Sequence, residues 1–480
     1  MGLAPTLHHV NDDRDFTARL ADVLAHVAPG TMGAVERLSG GANMESWSID
    51  WHGADGAVQG YILRRAPNDE WLAGRPFGLG SEAALVRAAR AGGVLAPQVV
   101  ADLAPADGLG HGYVMRRVDA AVNPATLLAQ AAPHLIDDIA RELARIHALP
   151  VADLPADIPV LDTAAGLAEL QARYIGYGAD RPILALALRW LHDNIPPPAP
   201  ARLVHGDLRM GNIMATPAGL AAVLDWELAH IGDAHDDLAY GCMTVWRFGQ
   251  IDRPAFGLAS VERYAAAYER AGGVAFDPAR FRFWLVYRTL WWALGCLQMG
   301  AFWRSGVDAA LERTVIARRT SENELDLLLL LEEDAPPAAR AAGVAPLRAG
   351  GGDDGRDDGP KDGPKDDGAP PLGETTAAEI LSAINDWLAN DVKPKSTGRD
   401  KFMVAVAMNA LGIVGRELAH PVAFTDRALS DALLAGTATL ATPGVLARLR
   451  AMALAKLTND MPKYAALAHA RALWRAPPAE

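Results

Sequence analysis

The run from Gly350 to Gly368 contains only Gly, Asp, Pro, Lys and one Arg. Such a stretch cannot bury enough apolar surface to offset the entropy of ordering it. Whatever folds here must therefore fold on either side of it. Pro336-Pro337 before the run and Pro370-Pro371 after it extend the break, so the sequence reads as a linker over 335–373. One structured part should stop near residue 334 and another start at 374. A chain of 480 residues, half of them apolar, has the material for more than one core.

Charge and cysteine usage narrow the classes. The formal net charge is −13, which disfavours nonspecific nucleic-acid binding, because that affinity comes from Lys and Arg neutralising phosphates. Part of the excess belongs to the linker, where seven aspartates from Asp353 to Asp367 face three basic residues. Cys242 and Cys296 lie in apolar stretches without ligand spacing, which argues against a disulfide framework or a zinc site and suits a reducing cytoplasm. The N-terminus shows no basic region followed by an apolar signal core. The apolar stretch Phe283 to Phe302 carries Arg288, Gln298 and several tryptophans, so it reads as a buried helix of a soluble protein without membrane association.

Before the linker the pattern is α+β. Residues 1–32 read as a helical extension. Residues 33–118 hold strand-like runs at Ala34–Leu38, Ser46–Trp51, Gln59–Arg64 and Gly112–Arg117, interrupted by a helix that Ser81 is placed to cap and Gly92-Gly93 to end. Helices dominate from about residue 133 onward, with a loop and hairpin around Val204 to Trp226 as the exception. After the linker, 374–480 reads as four or five helices: Thr376 and Glu379 have capping-box spacing, a helix is expected over about 400–418, and Thr442-Pro443 marks another start.

The chemistry is concentrated in His205-Gly206-Asp207-Leu208-Arg209-Met210-Gly211-Asn212, followed by Asp225. Phosphoryl transfer needs a group to orient and deprotonate the attacking hydroxyl, oxygen ligands for Mg²⁺, and donors for the phosphate charge. Asp207 supplies the first. Asn212 and Asp225 supply oxygens to a hard cation, and the apolar run Leu220 to Leu224 can aim Asp225 at the Asn212 loop. Upstream, Gly40, Gly41 and Asn43 sit between two strands, where backbone N–H groups can approach phosphates, although alone such a turn is more often a plain hairpin. Arg64 lies on the strand face opposite Leu63, and Glu82 on the next helix is placed to pair with it.

Together these motifs resemble the aminoglycoside phosphotransferase and choline kinase family, relatives of the protein kinases, over about residues 33–330. Tyr61-Ile62-Leu63-Arg64-Arg65, Tyr113-Val114-Met115-Arg116-Arg117-Val118 and Leu224-Asp225-Trp226-Glu227 resemble in particular the kinase-like domains associated with acyl-CoA dehydrogenases. The resemblance implies a two-lobed protein-kinase-like fold, with a small antiparallel lobe (33–118), a mainly helical lobe (119–334), and then the linker and an all-α domain. It implies ATP as phosphoryl donor with Mg²⁺, Asp207 as catalytic base and Asn212 with Asp225 on the metal. Gly40, Gly41, Asn43, Arg64 and Glu82 would serve the nucleotide, and Met115 and Arg116 the adenine hinge. Two departures stand out: Arg64 occupies the usual lysine position, and Gly232-Asp233-Ala234 replaces Gly-Asp-Pro, with Asp237 expected to anchor the loop. The helix bearing Trp284, Arg288, Trp291 and Trp292 sits where the family builds its acceptor pocket, although an aromatic stripe at helical spacing is more often core, with one or two rings left to face an acceptor. The acceptor it suggests is a hydroxyl on a metabolite, such as a hydroxyacyl-CoA or hydroxy-acid derivative whose anionic carrier would suit Arg247, Arg288 and Arg304. The alternatives are an aminoglycoside-type reaction on a cationic alcohol, and a pseudokinase or nucleotide-binding interaction module. The helices after the linker resemble an uncharacterised domain that accompanies such phosphotransferases and suggest assembly or partner contact.

Overall fold

The computed structural model describes residues 12–38, 44–72, 74–345 and 377–474. Five antiparallel strands, β1 (Gly30–Arg37), β2 (Glu45–Gly53), β3 (Val58–Ala66), β4 (Val99–Asp102) and β5 (His111–Arg116), form one sheet in the order β1-β2-β3-β5-β4. Alternation in β3 sends Tyr61 and Leu63 to one face and Ile62 and Arg64 to the other. On the first face Tyr61 and Leu63 join Ile49, Trp51, Leu109 and Val114 in a core completed by Leu20, Val23 and Leu24 of the helix α1 (Asp12–Val27). These three leucine and valine positions recur at helical spacing, one stripe of an amphipathic helix. The segment that the sequence set apart as an extension is thus part of the sheet's own core.

The strand expectations hold in place, with ends displaced by a few residues, and β4 is the strand that sequence patterning missed. It is four residues long and begins two residues after Pro97. The helix α2 (Leu79–Ala91) follows β3 and ends at Gly92 as expected, but its N-cap is Gly78. Ser81 lies inside the first turn and donates from Oγ to Asp157 Oδ2 at 2.7 Å.

The helical lobe carries two small ribbons. β6 (Arg202–Val204) pairs with β9 (His230–Gly232), while β7 (Ile213–Thr216) and β8 (Gly219–Val223) make the expected hairpin. These ribbons bracket the motif 205–212 and deliver Asp225 at the end of β8.

By packing, the chain divides into two compact units, residues 1–166 with 195–288, and residues 167–194 with 289–480. The division does not fall at the linker. In the second unit the helix Arg427–Ala435 packs on Pro182–Asp193, and Val445–Asp460 packs on Thr320–Leu331. Buried polar ties join residues from both sides of the linker: Arg450 Nε meets Glu332 Oε2 at 3.0 Å, Trp474 Nε1 donates to Glu332 Oε1 at 2.8 Å, and Tyr464 donates to Asp326 Oδ2 at 2.6 Å. Residues 335–345, assigned to the linker by composition, are partly ordered by this packing. Pro337 opens a short helix, Pro337–Ala341, at the position where its missing N–H costs nothing, and Ala345 N donates to Ala447 O at 3.1 Å. The acidic run itself and Thr376 lie outside the described residues.

Five α-helices are described between 377 and 474. The helix expected over 400–418 spans Gly398–Ala419. The start expected at Thr442-Pro443 comes slightly later, at Val445 after Gly444, because Thr442 Oγ1 is used to accept from Thr439 N. Among the described residues, Gly398–Ala419 is the one helix whose length and apolarity would suffice to cross a bilayer. It is tied at its far end by Glu417 to Arg318 (2.8 Å) and by Arg416 Nε to Asn459 O (2.8 Å).

Candidate active site

From β6 the chain turns through His205, Gly206 and Asp207. Gly206 has φ +80°, and a Cβ there would stand 2.2 Å from Leu228 O, so the turn accepts only glycine. The amides of His205 and Gly206 donate to Asp237 Oδ2 and Oδ1 at 2.6 and 2.9 Å. His147 Nε2 lies 3.1 Å from the same carboxylate, and its Nδ1 lies 2.7 Å from the Tyr268 hydroxyl. Burial acts to raise the Asp237 carboxyl, but His147 and the loop amide hold it below its ordinary value. Asp237 is therefore a charged peg on which the loop's backbone hangs. It stands on the helix Ala234–Tyr240, capped by Asp233, whose side chain accepts from His235 N (3.0 Å), Arg280 Nη1 (2.7 Å) and Trp284 Nε1 (2.9 Å). Alanine in place of the family's proline after Asp233 leaves that cap intact.

Asp207 is held from three sides. Arg209 Nε donates to Oδ1 at 2.9 Å, Asn212 Nδ2 donates to Oδ2, and the Tyr240 hydroxyl, on the last residue of the helix Ala234–Tyr240, favours the charged carboxylate. Asn212 Nδ2 also reaches Asp207 O at 2.9 Å. The guanidinium of Arg209 stacks over the Trp246 ring at 4.3 Å. Burial pushes the Asp207 carboxyl up to about 6, against the pull of Arg209. A carboxylate with that affinity for a proton is a better base than a surface aspartate, and it is still ionised at neutral pH.

The segment after β8 that carries Asp225 is tied to this loop by its backbone, since Leu224 N donates to Asn212 O at 2.8 Å. Asp225 follows with φ +65°, the left-handed region that a non-glycine residue enters at a cost of about 1 kcal/mol. Pointing its nitrogen at Asp207 leaves the Asn212 amide oxygen as the group with lone pairs to offer. One amide oxygen and one carboxylate form a hard, oxygen-only donor set. Such a pair fits Mg²⁺, which takes one or two protein ligands and fills its octahedron with water and phosphate oxygens.

Arg64 reaches across from β3. Its Nη2 is 2.8 Å from both Asp225 Oδ1 and Glu227 Oε2, and its Nε is 2.9 Å from Glu82 Oε1. The pairing of Arg64 with Glu82 expected from the sequence is present. Glu82 is also hydrogen-bonded by Tyr113 at 2.9 Å and by Arg75.

Other expected residues lie elsewhere or are differently engaged. Met115 sits inside β5, opposite Ile62 on one side and Val99 on the other, and Arg116 N donates to Gln98 O at 2.8 Å. Met115 and Arg116 are the last two residues of β5, and Arg117 N donates to Gly60 O at 2.9 Å. Arg116 uses its side chain on Gln59 Oε1, at 2.8 Å, and over the Tyr61 ring. Gly40, Gly41 and Asn43 lie outside the described residues. Arg288 is clamped in the interior by both oxygens of Asp236, and Arg247 donates to Cys242 O, so neither is a ready anion receptor. Trp284 is fully buried against Asp233, a core role, while Trp291 and Trp292 are partly exposed.

Sequence reasoning missed Arg209, Tyr240, Glu227 and Arg75. Arg209 had a signal, being two residues from Asp207 inside the motif, and Glu227 lies two from Asp225. Tyr240 and Arg75 are brought in by tertiary structure and had none.

Relatives and solved structures place the chain by sequence and by fold. A mouse acyl-CoA dehydrogenase family member 10 is 34% identical over 98 residues, 18% of this chain and 9% of that protein. A chicken acyl-CoA dehydrogenase family member 11 is 33% identical over 125 residues, 22% of this chain and 15% of that protein. The matched part is therefore less than a sixth of either relative. A Ralstonia eutropha protein classed with the aminoglycoside phosphotransferases superposes with a TM-score of 0.51 at 20% identity, covering 65% of this chain and 97% of its own, which shows the shared protein-kinase-like fold. Residues 35–284, more than half of the chain, match the phosphotransferase enzyme family. With the Asp207, Asn212 and Asp225 constellation assembled inside that match, the chain belongs to the phosphotransferase enzyme family, a family of small-molecule kinases.

Proposed function

We propose that this protein transfers the γ-phosphate of ATP to a hydroxyl of a small metabolite, with Asp207 as base and Asn212 and Asp225 holding Mg²⁺. The observation that carries the reading is the triple restraint of a buried Asp207 carboxylate beside an oxygen pair tied to the same loop by the Leu224–Asn212 hydrogen bond. Asp207 accepts a hydrogen bond from the acceptor hydroxyl and takes its proton as the oxygen attacks the γ-phosphorus and the bond from that phosphorus to the β,γ-bridging oxygen breaks, releasing ADP. Arg209, fixed by the Trp246 ring, keeps the carboxylate aimed and adds positive charge beside the transferred group. Asn212 and Asp225 would hold Mg²⁺, which would supply positive charge against the phosphates. Arg64 would supply donors to those phosphates from the sheet side, and the main chain at Met115 and Arg116, the end of β5, would meet adenine.

For the acceptor we propose a hydroxyacyl-CoA or related hydroxy-acid derivative. The support is the likeness to chains named as acyl-CoA dehydrogenase family members, since Arg247 and Arg288 are spent internally. Two buried free thiols, Cys242 and Cys296, are consistent with a cytoplasmic setting. The test incubates the purified chain with Mg-ATP and a panel of hydroxyacyl-CoAs, hydroxy acids and aminoglycosides, and reads phosphorylated products by mass spectrometry. Phosphorylated hydroxyacyl-CoA is expected; products from aminoglycosides alone would overturn the acceptor class.

A further inference from the structure

The charged cluster around Arg64 holds a second cation that the phosphoryl-transfer motif does not contain. Arg75 lies in the loop before α2, its side chain only 8% exposed. Its planar fork spans two carboxylates, Nη2 on Glu82 Oε2 and Nη1 on Glu227 Oε2 at 2.9 Å, while Nε is directed at Phe77 O. Both carboxylates are also partners of Arg64. Two guanidinium groups therefore serve three acids, Glu82, Asp225 and Glu227, and every one of those acids touches Arg64.

This arrangement creates a conflict for Arg64. To meet nucleotide phosphates it has to turn from Asp225 and Glu227, and a buried carboxylate that loses its only cation opposes that turn. Asp225 is relieved by Mg²⁺, and Glu82 and Glu227 have Arg75. We propose that Arg75 is a positioning residue for the nucleotide: by neutralising Glu227 and one oxygen of Glu82, it releases Arg64 to the phosphates of Mg-ATP. Lysine cannot take this place, because a single ammonium does not bridge two carboxylates in the fork geometry seen here. The inference rests on the phosphotransferase reading of the site and adds to it a residue outside the motif.

The experiment measures binding by calorimetry on the full chain, using Mg-AMP-PNP and, separately, adenosine, which has the base and sugar but no phosphate. Arg75→Ala is expected to weaken Mg-AMP-PNP about tenfold or more while changing adenosine less than about twofold. Adding Glu227→Gln to Arg75→Ala is expected to restore most of the loss, since it removes one demand on Arg64. Unchanged AMP-PNP affinity, or equal weakening of both ligands, would overturn the proposal, the latter showing a merely structural role. Should Arg75→Ala fail to fold, Glu227→Gln alone decides: a few-fold tightening of AMP-PNP with adenosine unchanged is expected, and no gain contradicts it. A wild-type chain that binds no nucleotide would remove the phosphotransferase reading and this inference together, whereas a wild type that binds beside an unaffected Arg75→Ala removes the inference alone.

Discussion

Replacing Asp207 by asparagine should remove activity and, at neutral pH, relieve the fold of a cost. The carboxyl is buried, and its pKa in the folded chain is pushed from 3.8 up to about 6, mainly by desolvation. That rise corresponds to about 3 kcal/mol between the two protonation states. The sign follows from proton uptake: between pH 4 and 6 the folded protein binds the proton that the unfolded chain has lost. Stability from this group is therefore full below about pH 4, declines as pH rises through 6, and stays low above. Asparagine has no such titration. Its amide also presents a donor to Arg209 or Asn212, a mismatch worth about 1–3 kcal/mol, but that term is constant with pH. The difference in unfolding free energy, Asp207→Asn minus wild type, should thus grow by up to about 3 kcal/mol from pH 4 to pH 7, whatever its offset. Urea unfolding of both proteins at half-unit pH steps, followed by tryptophan fluorescence without Mg²⁺, measures it. Curves that stay parallel across this range would refute the argument that burial, rather than partner charge, dominates at Asp207.

Three further outcomes follow from the packing. Asp237→Asn turns one amide donor toward a loop N–H that needs an acceptor and removes the charge that His147 faces, so it should cost about 3–5 kcal/mol in urea unfolding; a loss below about 1 kcal/mol would contradict the anchoring role. Glu332→Ala leaves the guanidinium of Arg450, 3% exposed, without its carboxylate and should lower the thermal midpoint clearly, by an amount equivalent to about 3–5 kcal/mol. Proteolytic cleavage within 346–376 should leave the two fragments co-eluting on size exclusion, because residues 377–474 share buried ion pairs with residues before the cut; separation without denaturant would contradict that packing.

The sheet and the loop 205–212 were readable because each depends on local rules. Alternation in β3 fixes Arg64 opposite Leu63, and Gly206 and Asp207 sit in a turn whose spacing to Asn212 is short and rigid. Glu82 was readable because a helix start after β3 puts an acid near that strand. Sequence pattern fails where long-range packing decides. Tyr240 reaches Asp207 only because Asp233 and Asp237 orient its helix against the loop. Arg75 comes from a loop with no periodicity, and β4 is too short for an alternating pattern to register. The acidic run marked a break in the chain correctly as composition, yet Glu332, Asp326, Arg450 and Trp474 bring residues from either side into one packed unit. Arg288 looked like a binding arginine in sequence because nothing there reveals Asp236 facing it.

The most direct test of the central claim follows the γ-phosphate itself. ATP labelled at the γ-position is incubated with a small-metabolite extract, Mg²⁺ and either wild type, Asp207→Asn or Asp225→Asn. The account predicts a labelled, base-stable phosphate ester with wild type, at least about a hundredfold less with either variant, and none after chelation of Mg²⁺. Equal labelling by wild type and Asp207→Asn, or no transfer by a wild type that binds Mg-ATP, would contradict it.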